Sequence, residues 1–358
     1  MRVLLVAGSY PPDHCGVGDY TEKLATALTK VHGLHVGVLT TVLPGRVRSH
    51  QVELVEAAKN WSFSELLKLI RAVRQWKPDF VHIQYPSQGF FFRRLPSFLP
   101  LIYKLIGIRV ILTWHEPHRQ RGVLHFVIQA LGAHGLIFVR PNYLAMLPAS
   151  FRSLIKFIPQ ATIPNANALP VSSLEKYQRL KLRDRYLHSR NRLVVFFGFV
   201  YQGKGIESLF DIATSSSDSL VIAGAIKDNA YAQQLAELAR LKGWSDDQIN
   251  FTGFLSPPDA ADLLAVADAV VLPFVGGGGE WNTSIHSALA QGTLVITTAV
   301  PPSGYEALRN LFTAAPSDIN AMRTALDQLA GHRVAPLSSD AQWQGIASAH
   351  VAFYHRCS

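Results

Sequence analysis

Cysteine is nearly missing from this chain: Cys15 and Cys357 are the only two in 358 residues. That is too few for a disulfide framework and fits a reducing compartment. Long apolar runs are missing as well. The two most hydrophobic stretches are "LPLIYKLIGIRVILTW", interrupted by Lys104 and Arg109, and "VLHFVIQALGAHGLIFV", interrupted by His, Gln and Gly. Neither reaches the roughly 18 unbroken apolar residues that a membrane helix needs. The opening "MRVLLVAGSYPPDH" carries one Arg and an early Asp, which suits a first β-strand better than a secretory leader. A cytoplasmic protein is expected. No glycine loop ends in Gly-Lys-Ser/Thr, so a Walker phosphate loop is excluded. No helix-turn-helix, zinc-finger or aromatic RNA-binding signature accompanies the basic residues, so nucleic acid is not an expected partner.

Acidic residues are scarce in one half only. Residues 1–150 hold 17 Lys/Arg against 8 Asp/Glu, whereas 151–358 hold 17 of each, so the net charge of +9 belongs to the first half. Its densest part is Arg93, Arg94, Lys104, Arg109, Arg119 and Arg121, interleaved with Phe90, Phe91, Phe92, Leu95 and Tyr103. Such a mixture suits an anionic membrane surface, and equally the solvated basic face of a soluble domain.

With 48% hydrophobic and 16% charged residues, the chain can fill two globular cores. Its pattern shows one rhythm twice. The β-branched runs "RVLLVAG", "HVGVLTT", "DFVHIQY", "RVILTWH" and "GLIFV" alternate with helical segments such as "DYTEKLATALTKV" and "SFSELLKLIRAVRQW". After "TIPNANALPVSS" the rhythm restarts with "RLVVFFGFV", "SLVIAGA", "INFTGF", "AVVLPF" and "TLVITTA", separated by further helical stretches. Each half therefore reads as a parallel α/β sheet covered by helices. The expected organisation is a Rossmann-like domain over 1–165, a linker region over 166–190 and a second Rossmann-like domain over 191–340. In open α/β folds ligands bind at the carboxyl ends of the strands, so two such domains are expected to face one central cleft.

Three loops carry the chemistry. In "SYPPDHCGVGDYT", Gly16 and Gly18 leave room beside a helix start for a phosphate or a sugar. A dinucleotide fingerprint is disfavoured, because Thr21 stands where the third glycine belongs and no acidic residue closes the second strand. In "FFGFVYQGKGIESLF", Lys204 sits between glycines just past a strand, where a cation reaches a diphosphate unobstructed. In "LPFVGGGGEWNTSIHSALAQG", the glycines 276–279 precede Asn282, Thr283 and Ser284, whose N–H groups open a helix with its positive end toward an anion. A turn at Gly16–Gly18 and a plain surface loop at the glycine run are the structural alternatives. Glu116 and His118 beside His115 could suggest a metal, but further ligands are lacking and no Asp-x-Asp pair is present.

Taken in order, "SYPPDHCGVGDYTEKLATAL", "PDFVHIQY", "TWHEPH", "TIPNAN", "FFGFVYQGKGIESL", "FTGFLSPPDAADLLAVADAVVLPF" and "SALAQGTLVITT" make the chain resemble the retaining, nucleotide-sugar-dependent glycosyltransferases of family 4, with the GT-B fold, nearly end to end. The resemblance implies an acceptor-binding first domain, a donor-binding second domain and a final helix, about 341–356, that returns to the first. Transfer from a nucleotide-diphosphate sugar to a glycan or lipid-linked acceptor is implied, in polysaccharide or glycoconjugate synthesis, with no metal and no cofactor. Peripheral attachment at the inner membrane face would suit such an acceptor.

Matched position by position, the resemblance implies donor-binding roles for Gly16, Gly18 and Lys204; with the loop readings above, Gly198, Gly278, Gly279, Asn282, Thr283 and Ser284 are also expected at the donor, and Tyr85, His118 and Arg121 at the acceptor. His115, and Glu280 if the glycine run shifts the loop, fall to the reacting centre. Arg192, ahead of its strand, is expected to be dispensable for activity. The chain also departs from the pattern. Phe199 replaces the usual arginine after Gly198, and the paired glutamates map onto Gly279 and Ser287, with Glu280 one residue out of register. "SIHSALAQG" is similar to the form "S-L-x-A-A-L-A-x-G" found in a subgroup of these enzymes. A noncatalytic nucleotide-sugar- or glycan-binding relative, or a sugar-nucleotide epimerase of the same fold, would share most of these features.

Overall fold

The structure is a computed structural model and describes residues 1–46, 52–116, 123–188, 190–279 and 281–358. The chain divides into two compact units. One comprises Met1–Asn165 with Asp340–Ser358, and the other Ala166–Ser339.

The first unit is built on strands β1 (Arg2–Val6), β2 (His35–Thr41), β3 (Glu53–Ala58), β4 (Phe80–Tyr85), β5 (Arg109–Trp114), β6 (Gly135–Phe138) and β7 (Gln160–Thr162). They form one sheet in the order β3-β2-β1-β4-β5-β6-β7, parallel throughout. Its helices are α1 (Gly16–Thr29), α2 (Leu66–Trp76), α3 (Leu95–Leu105), α4 (Val123–Gly132) and α5 (Ala149–Ile155). Leu4, Leu5, Val81, Ile83, Ile111 and Leu112 are fully buried, as strands covered on both faces require, and this is why they read as unbroken apolar runs. The strand order reverses between β1 and β4. In open α/β sheets the crevice at such a switch point is where ligands bind.

The second unit repeats the plan with β8 (Arg192–Phe197), β9 (Asp218–Ala223), β10 (Ile249–Gly253), β11 (Ala269–Leu272), β12 (Val295–Thr298), β13 (Gly304–Glu306) and β14 (Leu311–Ala314). The order is β10-β9-β8-β11-β12-β14-β13, with the short β13 antiparallel at the edge and the switch point between β8 and β11. Its helices are α6 (Lys176–Leu187), α7 (Leu209–Ile212), α8 (Asn229–Leu241), α9 (Pro257–Val266), α10 (Thr283–Ala290) and α11 (Ile319–Leu329). Residues 166–190, expected as a linker region, belong to this unit. They hold α6, whose Leu182 and Tyr186 pack on the second core and whose Arg183 bonds Asp268 at 2.7 Å. The last helix, α12 (Asp340–Arg356), completes the first unit. Its Tyr354 stacks on Phe80 with ring centroids 5.6 Å apart.

Arg192 proves to be a structural anchor. Its guanidinium grips Asp218 through two bonds of 2.6 and 2.8 Å, and Asp218, fully buried, also accepts from the Thr214 N–H at 2.7 Å. This fork lies at the amino ends of β8 and β9, opposite the switch-point loops. Arg192→Ala leaves a buried carboxylate without its counter-charge. It is expected to cost about 3 kcal/mol of stability, read as a lower midpoint in denaturant unfolding.

Candidate functional site

In each unit the loops at the carboxyl ends of the strands touch backbone to backbone. A Cβ on Gly8, after β1, would collide with the Phe90 backbone, and one on Gly89, after β4, with the Gly8 carbonyl. These two glycines therefore let the loops flanking the first switch point cross in contact. Gly18 does similar work, since a Cβ there would lie 3.0 Å from the Ser9 carbonyl oxygen. Gly16 differs: a Cβ there would meet none of the described residues within 4 Å, which leaves room among them beside the start of α1. Arg46 fixes the loop after β1 from behind. It donates to the Tyr10 and Thr41 carbonyls and to Asp13 and Glu56, at 2.9–3.3 Å.

His115 follows β5 directly. Its N–H donates to the Tyr85 carbonyl at 2.9 Å, and the ring lies at the edge of the Tyr20 ring, with centroids 4.8 Å apart. Burial, with His350 nearby, pushes the imidazole down to about 3, so it is neutral at physiological pH. His115 thus acts as a hydrogen-bonding group and carries no charge. Tyr85 is half-buried, stacked on Phe90 and edge-on to Phe126. His118 and Arg121 lie outside the described residues.

In the second unit, Gly224 lies against Gly198, Gly198 is 3.1 Å from the Ser284 Oγ as measured from its would-be Cβ, and Gly205 lies against the Pro273 carbonyl. All three glycines have positive φ, between 73° and 149°, which a side chain would strain. The loops after β8, β9 and β11 and the start of α10 are thereby drawn together at the switch point. Lys204, half-buried, holds its ammonium 5.1 Å from the ring centroids of both Tyr201 and Phe274. Asn282 caps α10, its side chain accepting from the Ser284 N–H at 3.2 Å, which leaves the Thr283 end of the helix as its positive pole.

The glycine run serves the protein's own packing. A Cβ on Gly278 would press on Ile285, Thr297 and Phe274, and one on Gly279 would enter the Trp281 ring. Only Gly276, of the four, has both an ordinary φ and no described residue within 4 Å of its would-be Cβ. Glu280 lies outside the described residues. Ser287, in register with the second family glutamate, is 1% exposed within α10, and its Oγ has no hydrogen-bond partner among the described residues.

Sequence reasoning passed over three features. Lys227, brought up by the loop after β9, places its ammonium 4.7 Å from the Phe199 ring centroid, adding positive charge at the residue that replaces an arginine. Asp19, in the first turn of α1, has its carboxyl pushed up to about 6 by burial and then by Glu22, against the opposing pull of Lys23. A cluster of neutral side chains behind His115 is the third. No motif marks these residues: Lys227 and the groups behind His115 meet partners from distant segments, and Asp19 is set chiefly by its burial. Among the described residues no group of three or more His, Cys, Asp or Glu is placed to hold a metal ion.

Comparisons with known proteins agree with this geometry. Residues 191–332, which carry the second switch point, match the family described as Glycosyl transferases group 1. The chain is similar to 2-deoxystreptamine N-acetyl-D-glucosaminyltransferase from Streptomyces fradiae, 25% identical over 289 residues that cover 75% of this chain and 66% of that protein. It thus spans just under two thirds of that curated relative. Among solved structures it is similar to sucrose-phosphate synthase from Thermosynechococcus elongatus, with a TM-score of 0.75 at 17% identity, covering 99% of this chain and 98% of that one. It is also similar to the catalytic domain of starch synthase IV from Arabidopsis thaliana, bound to ADP and acarbose, with a TM-score of 0.73 at 13% identity and coverage of 100% and 99%. The fold is the two-domain, Rossmann-like GT-B architecture that the sequence led us to expect.

The Asp19 carboxyl binds its proton more tightly in the folded state than in the unfolded chain. The stability tied to that proton is complete below the ordinary 3.8 and is lost as the pH rises through about 6. Asp19→Asn is therefore expected to raise the melting temperature at neutral pH and to lose that advantage as the pH falls below 3.8.

Proposed function

We propose that this protein is a retaining glycosyltransferase that moves a sugar from a nucleoside-diphosphate sugar to a hydroxyl of a glycan or lipid-linked acceptor, without a metal. The observation that carries the reading is the second switch point. Lys204 on its two aromatic faces, the amino end of α10 and the glycine-lined loops after β8 and β11 converge there, within the segment that matches the glycosyltransferase family. A diphosphate is the ligand such a site favours. Its charge is met by one ammonium group and by helix-terminal N–H groups already held in place. Lys227 adds a second ammonium beside Phe199.

In the reaction so read, the bond from the anomeric carbon to the departing diphosphate breaks as the bond to the acceptor oxygen forms on the same face. The acceptor proton passes to the diphosphate. Lys204 and the α10 N–H groups stabilise the charge growing on that leaving group, an effect worth about 3–4 kcal/mol for one well-placed donor. His115, neutral, is assigned to a hydroxyl of the transferred sugar. Ser287 offers no carboxylate to grip both ribose hydroxyls, so a deoxythymidine-diphosphate sugar belongs among the donors alongside uridine- and guanosine-diphosphate sugars.

A cytoplasmic protein that settles on an anionic membrane face would meet a lipid-linked acceptor there. The structure divides the basic cluster. Phe90, Leu95 and Tyr103 are core residues, whereas Phe91, Phe92, Arg93 and Arg94 are exposed at the tip ahead of α3. Lys104 is bonded to the Leu131 carbonyl, Arg109 lies over Phe80, and Arg119 and Arg121 lie outside the described residues. Phe91 and Phe92 hold φ of 51° and 55°, an unfavourable conformation for bulky side chains, and Phe92 is wholly exposed. No helix among the described residues is long and apolar enough to cross a membrane.

Incubation with a panel of nucleotide sugars and simple acceptors, followed by assay of free nucleoside diphosphate, tests the main reading. Acceptor-dependent release supports transfer, and binding without release identifies a noncatalytic binder. Lys204→Ala is expected to weaken binding of the free diphosphate about tenfold to a hundredfold by calorimetry, with an unchanged melting temperature. Vesicle sedimentation tests the membrane reading. Association with anionic, not neutral, vesicles should fall with salt and with Arg93→Gln and Arg94→Gln, each basic residue contributing about 1 kcal/mol.

A further inference from the structure

Behind His115 lies a chain of buried polar side chains linked by hydrogen bonds. The Gln84 Oε1 is 2.9 Å from His115 Nε2. A carbonyl oxygen only accepts, so the proton sits on His115 Nε2. The amide nitrogen of the same glutamine is 3.1 Å from His82 Nε2, which must therefore accept, and the Thr113 hydroxyl lies 2.7 Å from the same atom. With Nε2 accepting, His82 carries its proton on Nδ1 and donates it to the Tyr354 hydroxyl at 2.7 Å. His82, Gln84, Thr113 and Tyr354 are all fully buried.

We propose that Gln84, held by His82 and by Tyr354 of α12, is a positioning residue that locks His115 in the Nε2–H tautomer and so presents Nδ1 as a hydrogen-bond acceptor toward substrate. Nδ1 has no bonding partner among the described residues. Its lone pair then selects a ligand that offers a hydroxyl hydrogen, such as a sugar hydroxyl, over an anionic oxygen. The inference deepens the glycosyl-transfer reading and rests on it for the identity of that ligand, though the locking itself does not.

Both the charge state and the orientation follow from the surroundings. The Tyr20 ring packs edge-on against His115, His82 and His350 act on it electrostatically, and Tyr354 contacts those two histidines behind it. None of these four side chains supplies a negative charge; Glu116, the next residue along the chain, is not among the influences that shift His115. Burial holds His82 well below its ordinary value and lowers His350 to about 4, while it raises Tyr20 and Tyr354. His350 is itself oriented, its Nδ1–H donating to the Ile346 carbonyl at 2.8 Å and its Nε2 accepting from the Tyr20 hydroxyl at 3.4 Å. Three imidazoles are thus neutral, and the ring that borders the loops has one tautomer.

The test begins with the unmodified protein, so that misfolding of a variant cannot obscure it. Nitrogen-15 NMR of the histidine-labelled protein, without substrate, reads each ring's tautomer directly. The expected result is an Nε2–H signature for His115 that persists below the ordinary histidine range. An Nδ1–H form, or a mixture, overturns the proposal. Gln84→Glu replaces the acceptor by a carboxylate of nearly the same shape. It should draw a proton onto His115 and give turnover a pH dependence near neutrality that the wild type lacks. Gln84→Leu should yield mixed tautomers and lower kcat about tenfold, the loss of one hydrogen bond, with KM for the donor little changed. If both variants keep the wild-type tautomer and pH profile, Gln84 is merely structural. A locked tautomer in a protein that transfers no sugar would leave this inference standing and defeat the proposed function instead.

Discussion

The crossing of loops at the strand ends, made possible by the missing side chains of Gly8 and Gly89 in one unit and of Gly198, Gly205 and Gly224 in the other, is the constraint on which both candidate sites depend. Parallel strands deliver their loops to one edge, but ordinary residues hold neighbouring loops a side chain's width apart. Glycine removes that spacing. Once the Gly205 backbone rests against Pro273, the lysine before it is set beside Phe274 on the neighbouring loop. Once Gly8 and Gly89 are in contact, the loop after β4 lies beneath the one after β1, and Phe90 packs edge-on against Trp61.

The two sites differ in how they manage charge. In the second unit positive charge is kept at the surface of the loops, where aromatic faces support it at little desolvation cost. In the first, burial suppresses the ionisation of three histidines and an aspartate. His82, His115 and His350 stay neutral, and Asp19 holds its proton into the range near 6. One site presents positive charge, the other neutral hydrogen-bonding groups. That division follows from where each side chain sits relative to water, since the residue types alone do not determine it.

Much of the fold was legible because parallel strands buried on both faces write themselves as apolar runs. The ten strands marked in the sequence are all present. Those that escaped notice had weak signals: β3 carries Glu53 and Glu56, β7 has three residues, and β13 and β14 are a short pair at the sheet edge. Helix α3 was hidden by Pro96 and Pro100, which sit at its start and inside it. The site was legible where a local pattern defines it, as at Lys204 between glycines. It was illegible where distant segments meet. Nothing in "DFVHIQY" says that His82 will bond a tyrosine 272 positions later, and nothing in the glycine run says that Gly279 must admit the ring of Trp281. Arg192 was expected to be dispensable for activity from its place ahead of the strand, and its structural partner, Asp218, lies on the next strand.

Because α12 belongs to the first unit while residues 166–339 form the second, the second unit is an insertion within the first. During synthesis the ribosome releases the whole inserted unit before the helix that satisfies His82 and Tyr20 exists. Until then the His82 Nδ1 lacks the Tyr354 hydroxyl, and the Phe80 ring lacks the tyrosine that stacks on it. The inserted unit, being continuous in the chain, has no such debt. The order of maturation is therefore expected to run against the order of translation, with the segment made first the last to reach its final packing.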